Sequence, residues 1–209
     1  MTADDSSSPH TASIIEGLET QGWALTPGFL LPQDARDLAS ESQSAWDEGE
    51  FHRAKVGRGS GLTIREDVRS DHVMWLRSGE IPIAQQRYLD AIDILRHALN
   101  RHFFLGVSNF EAHFAVYPEG AFYKPHLDRH KQTSDRIVTV ILYLNEFWEP
   151  DHGGELKLFT SPQSQVAPFE IIPPRLGTLV TFLAGDHWHE VLPAQKTRMS
   201  ITGWLRTSG

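Results

Sequence analysis

Apolar residues recur at threes and fours through IPIAQQRYLDAIDILRHALNRHFF (81–104), at Ile83, Tyr88, Ala91, Ile92, Leu95, Leu99 and Phe103. That spacing predicts a long helix with one buried face. SIIEGLETQG (13–22) has the same spacing and stops at Gly22. PQDARDLASESQSAWDEG (32–49) opens on Pro32, carries acids early and stops at Gly49, the boundary signals of another helix. After residue 105 the pattern shortens to β-type runs broken by turn residues. Strands are predicted near 108–117, 121–127, 136–144, 155–159, 166–172, 177–183, 187–192 and 197–206. RIVTVILYLN (136–145) is nearly all apolar or β-branched, which predicts burial on both faces. Pro118-Glu119-Gly120, Asp151-His152-Gly153-Gly154 and Pro173-Pro174 supply turns. The pattern predicts a mainly β fold with packed helices, a double-sheet jelly roll or a barrel with the helices along one outer face.

No internal repeat or long linker divides the 209 residues. A single domain is therefore expected over 11–209, after a flexible polar tail at 1–10. Within it, 11–104 reads as a mixed helical support region and 105–207 as the β core. The absence of cysteine excludes disulfides, thiolate metal sites and a cysteine nucleophile. A net charge of −8 disfavours non-specific binding to nucleic acid. No apolar run approaches the roughly 18 residues of a membrane span. The opening MTADDSSSPH has no hydrophobic signal core, so the cytoplasm is the expected compartment.

Eleven histidines justify a search for metal ligands. His126 and Asp128, in FYKPHLDRH (122–130), stand two apart. On a strand they would face one side, where an imidazole and a carboxylate suit iron, manganese, zinc or nickel. His-x-Asp alone is weak, and two surface or hydrogen-bonded polar residues are the commoner origin of such a pair. GDHWHEVLPAQKTRMSITGW (185–204) offers a third ligand in His187 or His189. Further on, Arg198, Ser200, Thr202 and Trp204 alternate and share a face. Two imidazoles and one carboxylate leave metal positions open, the facial triad of non-haem Fe(II) oxygenases. Arg198 could then hold the far carboxylate of a dicarboxylate co-substrate through two parallel hydrogen bonds.

HRAKVGRGSGLTIRED (52–67) is basic and glycine-rich, with Arg53, Lys55, Arg58 and Arg65. It lacks the Gly-Lys-Ser/Thr of a phosphate-binding loop. A mobile loop that steers an acidic partner and an ordinary solvated hairpin both fit it.

Taken together, residues 107–206 resemble the 2-oxoglutarate- and Fe(II)-dependent prolyl hydroxylases, of the hypoxia-sensing type and their bacterial relatives. The matching pieces are AVYPEGAFYKPHLD (115–128), RIVTVILYLNEFW (136–148), HGGELKLF (152–159), PRLGTLVTFLAGD (174–186) and HEVLPAQKTRMSITGW (189–204). Upstream, VRSDHVMWL (68–76) resembles the family's Arg-x-Asp-x-x-x-Trp strand. The resemblance implies a double-stranded β-helix (jelly-roll) core for a single oxygenase domain. It assigns Fe(II) to His126, Asp128 and His189, which are also the catalytic set. It prefers His189 to His187 because the family's distal histidine stands directly before Glu-Val and nine residues before the arginine. It assigns 2-oxoglutarate to Arg198, Tyr143, Thr202 and Tyr117, and substrate contacts to Tyr123, Arg136 and Trp204, joined by Arg69 and Asp71. Loop 52–67 would be a finger that closes over a peptide.

The activity implied is hydroxylation at C4 of a prolyl residue in a protein, consuming O2 and converting 2-oxoglutarate to succinate, with ascorbate as a stimulant. The bacterial relatives suggest elongation factor Tu as the substrate. A monomer is expected, and the charge and the lack of an apolar span predict no nucleic-acid or membrane partner. Two rivals stand beside this reading. One is the same chemistry on a free amino acid or other small metabolite. The other is a non-catalytic jelly-roll binding module, which would leave Arg198, Tyr143 and Thr202 without a joint use.

Overall fold

The computed structural model describes residues 9–56, 63–76, 81–129 and 135–208. Its elements run α1 (Pro9–Gln21), β1 (Trp23–Thr26), α2 (Pro32–Asp47), β2 (His52–Arg53), β3 (His72–Trp75), α3 (Ile83–Phe103) and β4 (Val107–Tyr117). There follow β5 (Tyr123–His126), β6 (Arg136–Tyr143), a 3-10 turn (Pro150–His152), β7 (Leu156–Phe159) and β8 (Phe169–Ile172). The chain closes with β9 (Leu179–Leu183), β10 (His189–Val191) and β11 (Arg198–Thr207).

The strands form two antiparallel sheets, one ordered β1-β9-β6-β11-β4-β3-β2 and the other β5-β10-β7-β8. Side chains of successive strand residues point to opposite faces, and the large sheet uses this to build two cores. On one face Phe114, Val116, Val140, Leu142, Met199 and Ile201 pack with Ile14, Leu38, Tyr88, Ile92, Leu95 and Leu99 of the helices. The alternate residues Ala115, Tyr117, Ile141, Tyr143, Val180 and Phe182 turn toward the small sheet and pack with Leu156, Leu158, Ile172 and Val191. This is the expected jelly roll, with the helices on one outer face. β6 is buried on both faces from Val138 to Tyr143. α3 is pinned to the barrel by Asn100, whose side chain accepts from Val107 N at 2.9 Å and donates to Val107 O at 2.7 Å.

Several boundaries differ from the sequence expectation. α1 begins at Pro9, so the last two residues of the expected tail are helical; residues 1–8 lie outside the described residues. The long helix turns Ile83 outward at 65% exposure, and the second residue of the helix, Ala84, is buried instead. β1 was not foreseen; it is a four-residue edge strand beside β9. In the glycine-rich loop, His52–Arg53 form β2 and Val56 bridges Thr63, while 57–62 lie outside the described residues. No described helix is long and apolar enough to cross a membrane.

Candidate metal centre

His126 ends β5 and His189 opens β10, and the two are direct cross-strand partners. Asp128 is not on the strand, as alternation had predicted, but in the turn after it, where Arg129 N donates to Ala184 O at 3.1 Å. The turn, not strand periodicity, brings the carboxylate in. Asp128 Oδ1 lies 3.7 Å from His126 Nε2 and Oδ2 lies 3.5 Å from His189 Nε2. One ligand atom from each of the three lies within 4.8 Å of the others, the only such cluster among the described residues.

The residues around this cluster suit a metal. Nδ1 of His126 is 2.8 Å from Lys124 O, and Nδ1 of His189 is 3.2 Å from His187 O. A carbonyl can only accept, so each Nδ1 carries the proton and each Nε2 lone pair is left for a metal. Thr139 Oγ1 donates to Asp128 Oδ2 at 2.8 Å. Burial alone would raise the Asp128 carboxyl, but His189, His126 and Arg136 outweigh it and hold it at about 2. Burial, with His189 beside it, pushes the His126 imidazole well below its ordinary range. An anionic carboxylate and a neutral imidazole are the forms that bind metals.

His187 is fully buried but serves elsewhere. Its Nδ1 meets Phe159 O at 2.9 Å, and its Nε2 lies where a side chain on Gly22 would begin.

Register on β11 places the rest of the site. Trp204 stands opposite Thr139, and Ser200 opposite Tyr143. Metal cluster and Arg198 therefore sit toward two ends of one inward row on β6, Thr139, Ile141 and Tyr143. Arg198 is 1% exposed. Its Nε donates to Gly154 O at 3.2 Å and Nη1 to Ser200 Oγ at 2.9 Å, between the rings of Tyr117 at 4.7 Å and Tyr143 at 5.0 Å. It forms no ion pair among the described residues. The Tyr143 hydroxyl is buried without a well-formed hydrogen bond, and burial, opposed by Arg198, raises it to about 12. A buried, permanently charged guanidinium calls for an anion, and a neutral phenol beside it can donate to the same anion. Thr202, half-buried, pairs with Ile141 and His113 on neighbouring strands.

The expected substrate residues gather around the metal cluster. Arg136 stacks on Trp204 at 3.5 Å and donates to Glu111 at 2.9 Å. Glu111 also accepts from Arg206 at 2.7 Å. Tyr123 stacks on His126, and Arg69 lies over Tyr123 and pairs with Asp71.

Sequence reasoning missed Thr139 and Gly154. Thr139 shares the face of Tyr143 by simple alternation, so that signal was present. The Gly154 carbonyl carries no sequence signal, although both Gly153 and Gly154 adopt positive φ, which the turn requires.

Residues 112–206 match the family model of the 2OG-Fe(II) oxygenase superfamily. The chain belongs to that superfamily, whose members use Fe(II), 2-oxoglutarate and O2. Within it, the chain is similar to several prolyl hydroxylases. A Pseudomonas putida prolyl-4-hydroxylase structure is 40% identical with a TM-score of 0.85, over 95% of this chain and 100% of that one. A Trichoplax adhaerens prolyl hydroxylase, solved with a hypoxia inducible factor oxygen degradation domain peptide fragment, is 25% identical with a TM-score of 0.82, over 94% and 88% of the two chains. The hypoxia-inducible factor prolyl hydroxylase of Caenorhabditis elegans is 29% identical over 203 residues, 91% of this chain. The chain spans 27% of that protein's length.

Proposed function

We propose that the chain hydroxylates C4 of a prolyl residue in a protein, with conversion of 2-oxoglutarate and O2 to succinate and CO2. The observation that carries this reading is a buried arginine without an ion-pair partner among the described residues, beside a two-histidine, one-carboxylate cluster. His126, Asp128 and His189 would hold Fe(II) through Nε2, a carboxylate oxygen and Nε2. Arg198 would take the distal carboxylate of 2-oxoglutarate in a bidentate grip, with the Tyr143 hydroxyl as a further donor. Thr202 and Tyr117 would line the same space. The metal, when bound, supplies the oxygen chemistry. The chain's own residues orient the co-substrate, and the apolar walls of Ile141, Leu158, Val180 and Phe182 exclude water.

A polypeptide substrate is supported by the names of the relatives and by the peptide in the Trichoplax complex. The indole of Trp204 suits a pyrrolidine ring, and the Tyr123 hydroxyl, Arg69 and Arg136 suit backbone carbonyls flanking it. Elongation factor Tu is the candidate substrate that the resemblance to bacterial relatives brings. Mass spectrometry of candidate proteins, incubated with Fe(II), 2-oxoglutarate and enzyme, tests this. Gain of one oxygen atom on a prolyl residue is expected. Oxidation of free proline or another metabolite, with proteins untouched, would overturn it.

A further inference from the structure

Four side chains form a stack that ends on a candidate metal ligand. Asp71 is 1% exposed, and its two carboxylate oxygens accept from Arg69 Nε at 2.7 Å and Nη2 at 2.5 Å. A bidentate pair of this kind fixes the plane of the guanidinium as well as its place. The guanidinium carbon lies 4.2 Å from the centroid of the Tyr123 ring. Tyr123 stacks on the His126 imidazole, centroids 3.5 Å apart and planes inclined by 15°. Two planar groups at these distances cannot share one face of a phenol, so Arg69 and His126 sandwich it.

This contact depends on an irregularity. Tyr123 and His126 are three apart and would point to opposite faces of a regular strand. The β5–β10 pairing shifts register between them: His126 faces His189, but Tyr123 faces Val191. The extra residue in β5 is a bulge, and it turns both rings to one side. The backbone ties the far end of the stack to the same strand. Ser70 N donates to Phe122 O at 3.1 Å, and Lys124 N donates to Val68 O at 2.9 Å.

The Lys124 carbonyl holds His126 at Nδ1 alone, which leaves the ring free to tilt about that contact. The stack removes the tilt. We propose that Asp71 and Arg69 are positioning residues for the metal site, clamping Tyr123 flat against His126 so that Nε2 points at the position shared with Asp128 and His189. This rests on the metal-site reading above. It gives Arg69 and Asp71 a task before any substrate arrives.

The test is Co(II) binding, read by calorimetry and by the visible absorption of the bound ion, with melting of the metal-free proteins as the fold check. Arg69→Lys keeps the charge but loses the planar face, Asp71→Asn loses the bidentate grip, and Tyr123→Phe keeps the ring. Both Arg69→Lys and Asp71→Asn are expected to weaken Co(II) by about tenfold or more and to alter its absorption, whereas Tyr123→Phe stays within about twofold of the parent. Should Asp71→Asn fail to fold, Arg69→Lys decides. Parent-like affinity and spectrum in folded Arg69→Lys would overturn the proposal, as would an equal loss in Tyr123→Phe. A parent protein that binds no Co(II) would instead bring down the metal-site reading itself, and this inference with it.

Discussion

Thr139 Oγ1 donates a hydrogen bond to Asp128 Oδ2 at 2.8 Å, and both residues are buried. The bond leaves Oδ1 to face His126 and fixes the carboxylate's rotation. Thr139→Val keeps the β-branched shape on β6 and removes only the donor. Metal affinity, measured by titration with Mn(II) or Co(II), is expected to fall about tenfold, the lower end of the range for lost outer hydrogen bonds. An unchanged dissociation constant would mean that Asp128 is oriented by its turn alone.

Arg198 sets function against stability. Its charge is buried without an ion pair among the described residues, so it destabilises the chain until an anion binds. Arg198→Met is expected to raise the melting temperature of the ligand-free protein. The same variant is expected to lose the stabilisation that saturating 2-oxoglutarate gives the metal-loaded parent, about 2.7 kcal/mol at a hundred times the dissociation constant. Equal thermal shifts in parent and variant would argue against Arg198 as the co-substrate's anchor.

His113 makes stability depend on pH. It packs edge-on against Trp75 at 5.0 Å, and burial, with Arg69 adding, lowers its imidazole to about 3. Between about 6.5 and about 3 the unfolded chain binds a proton that the folded chain refuses. Its contribution is therefore complete above pH 6.5 and is lost as pH falls, by up to about 1.4 kcal/mol per pH unit. Urea unfolding of metal-free His113→Met from pH 7 to 5 is expected to show a shallower decline than the parent. Parallel declines would place the proton elsewhere.

Gly22 ends α1 at φ +79°, and a Cβ there would stand 2.5 Å from His187 Nε2. The imidazole cannot yield, being fully buried and held at Phe159 O. Gly22→Ala is expected to cost about 1 kcal/mol or more, from the positive φ and the collision together. A denaturant midpoint equal to the parent's would show that the histidine moves freely.

Much of this molecule is legible in the sequence because its β core obeys simple alternation. β4, β6 and β11 each send odd and even residues to different cores, and the strands from Val107 onward fall close to their predicted places. A four-residue edge strand carries too few residues to leave a pattern, which is why Trp23–Thr26 escaped; Ile83, at the first position of the long helix, was turned the wrong way because the buried face begins at Ala84. At the site, alternation fails where geometry departs from it. Asp128 converges through a turn beyond its strand, and Tyr123 reaches His126 through a bulge. Neither His187 nor His189 is marked by spacing as the ligand; only the turn before β10 sends one ring toward Asp128 and the other toward Gly22.

Release of succinate from 2-oxoglutarate, followed with and without Fe(II) in the parent and in His189→Ala, bears most directly on the metal assignment. Turnover that needs Fe(II) and is lost with the imidazole is the expected result. Undiminished succinate from folded His189→Ala, or turnover indifferent to Fe(II), would contradict it.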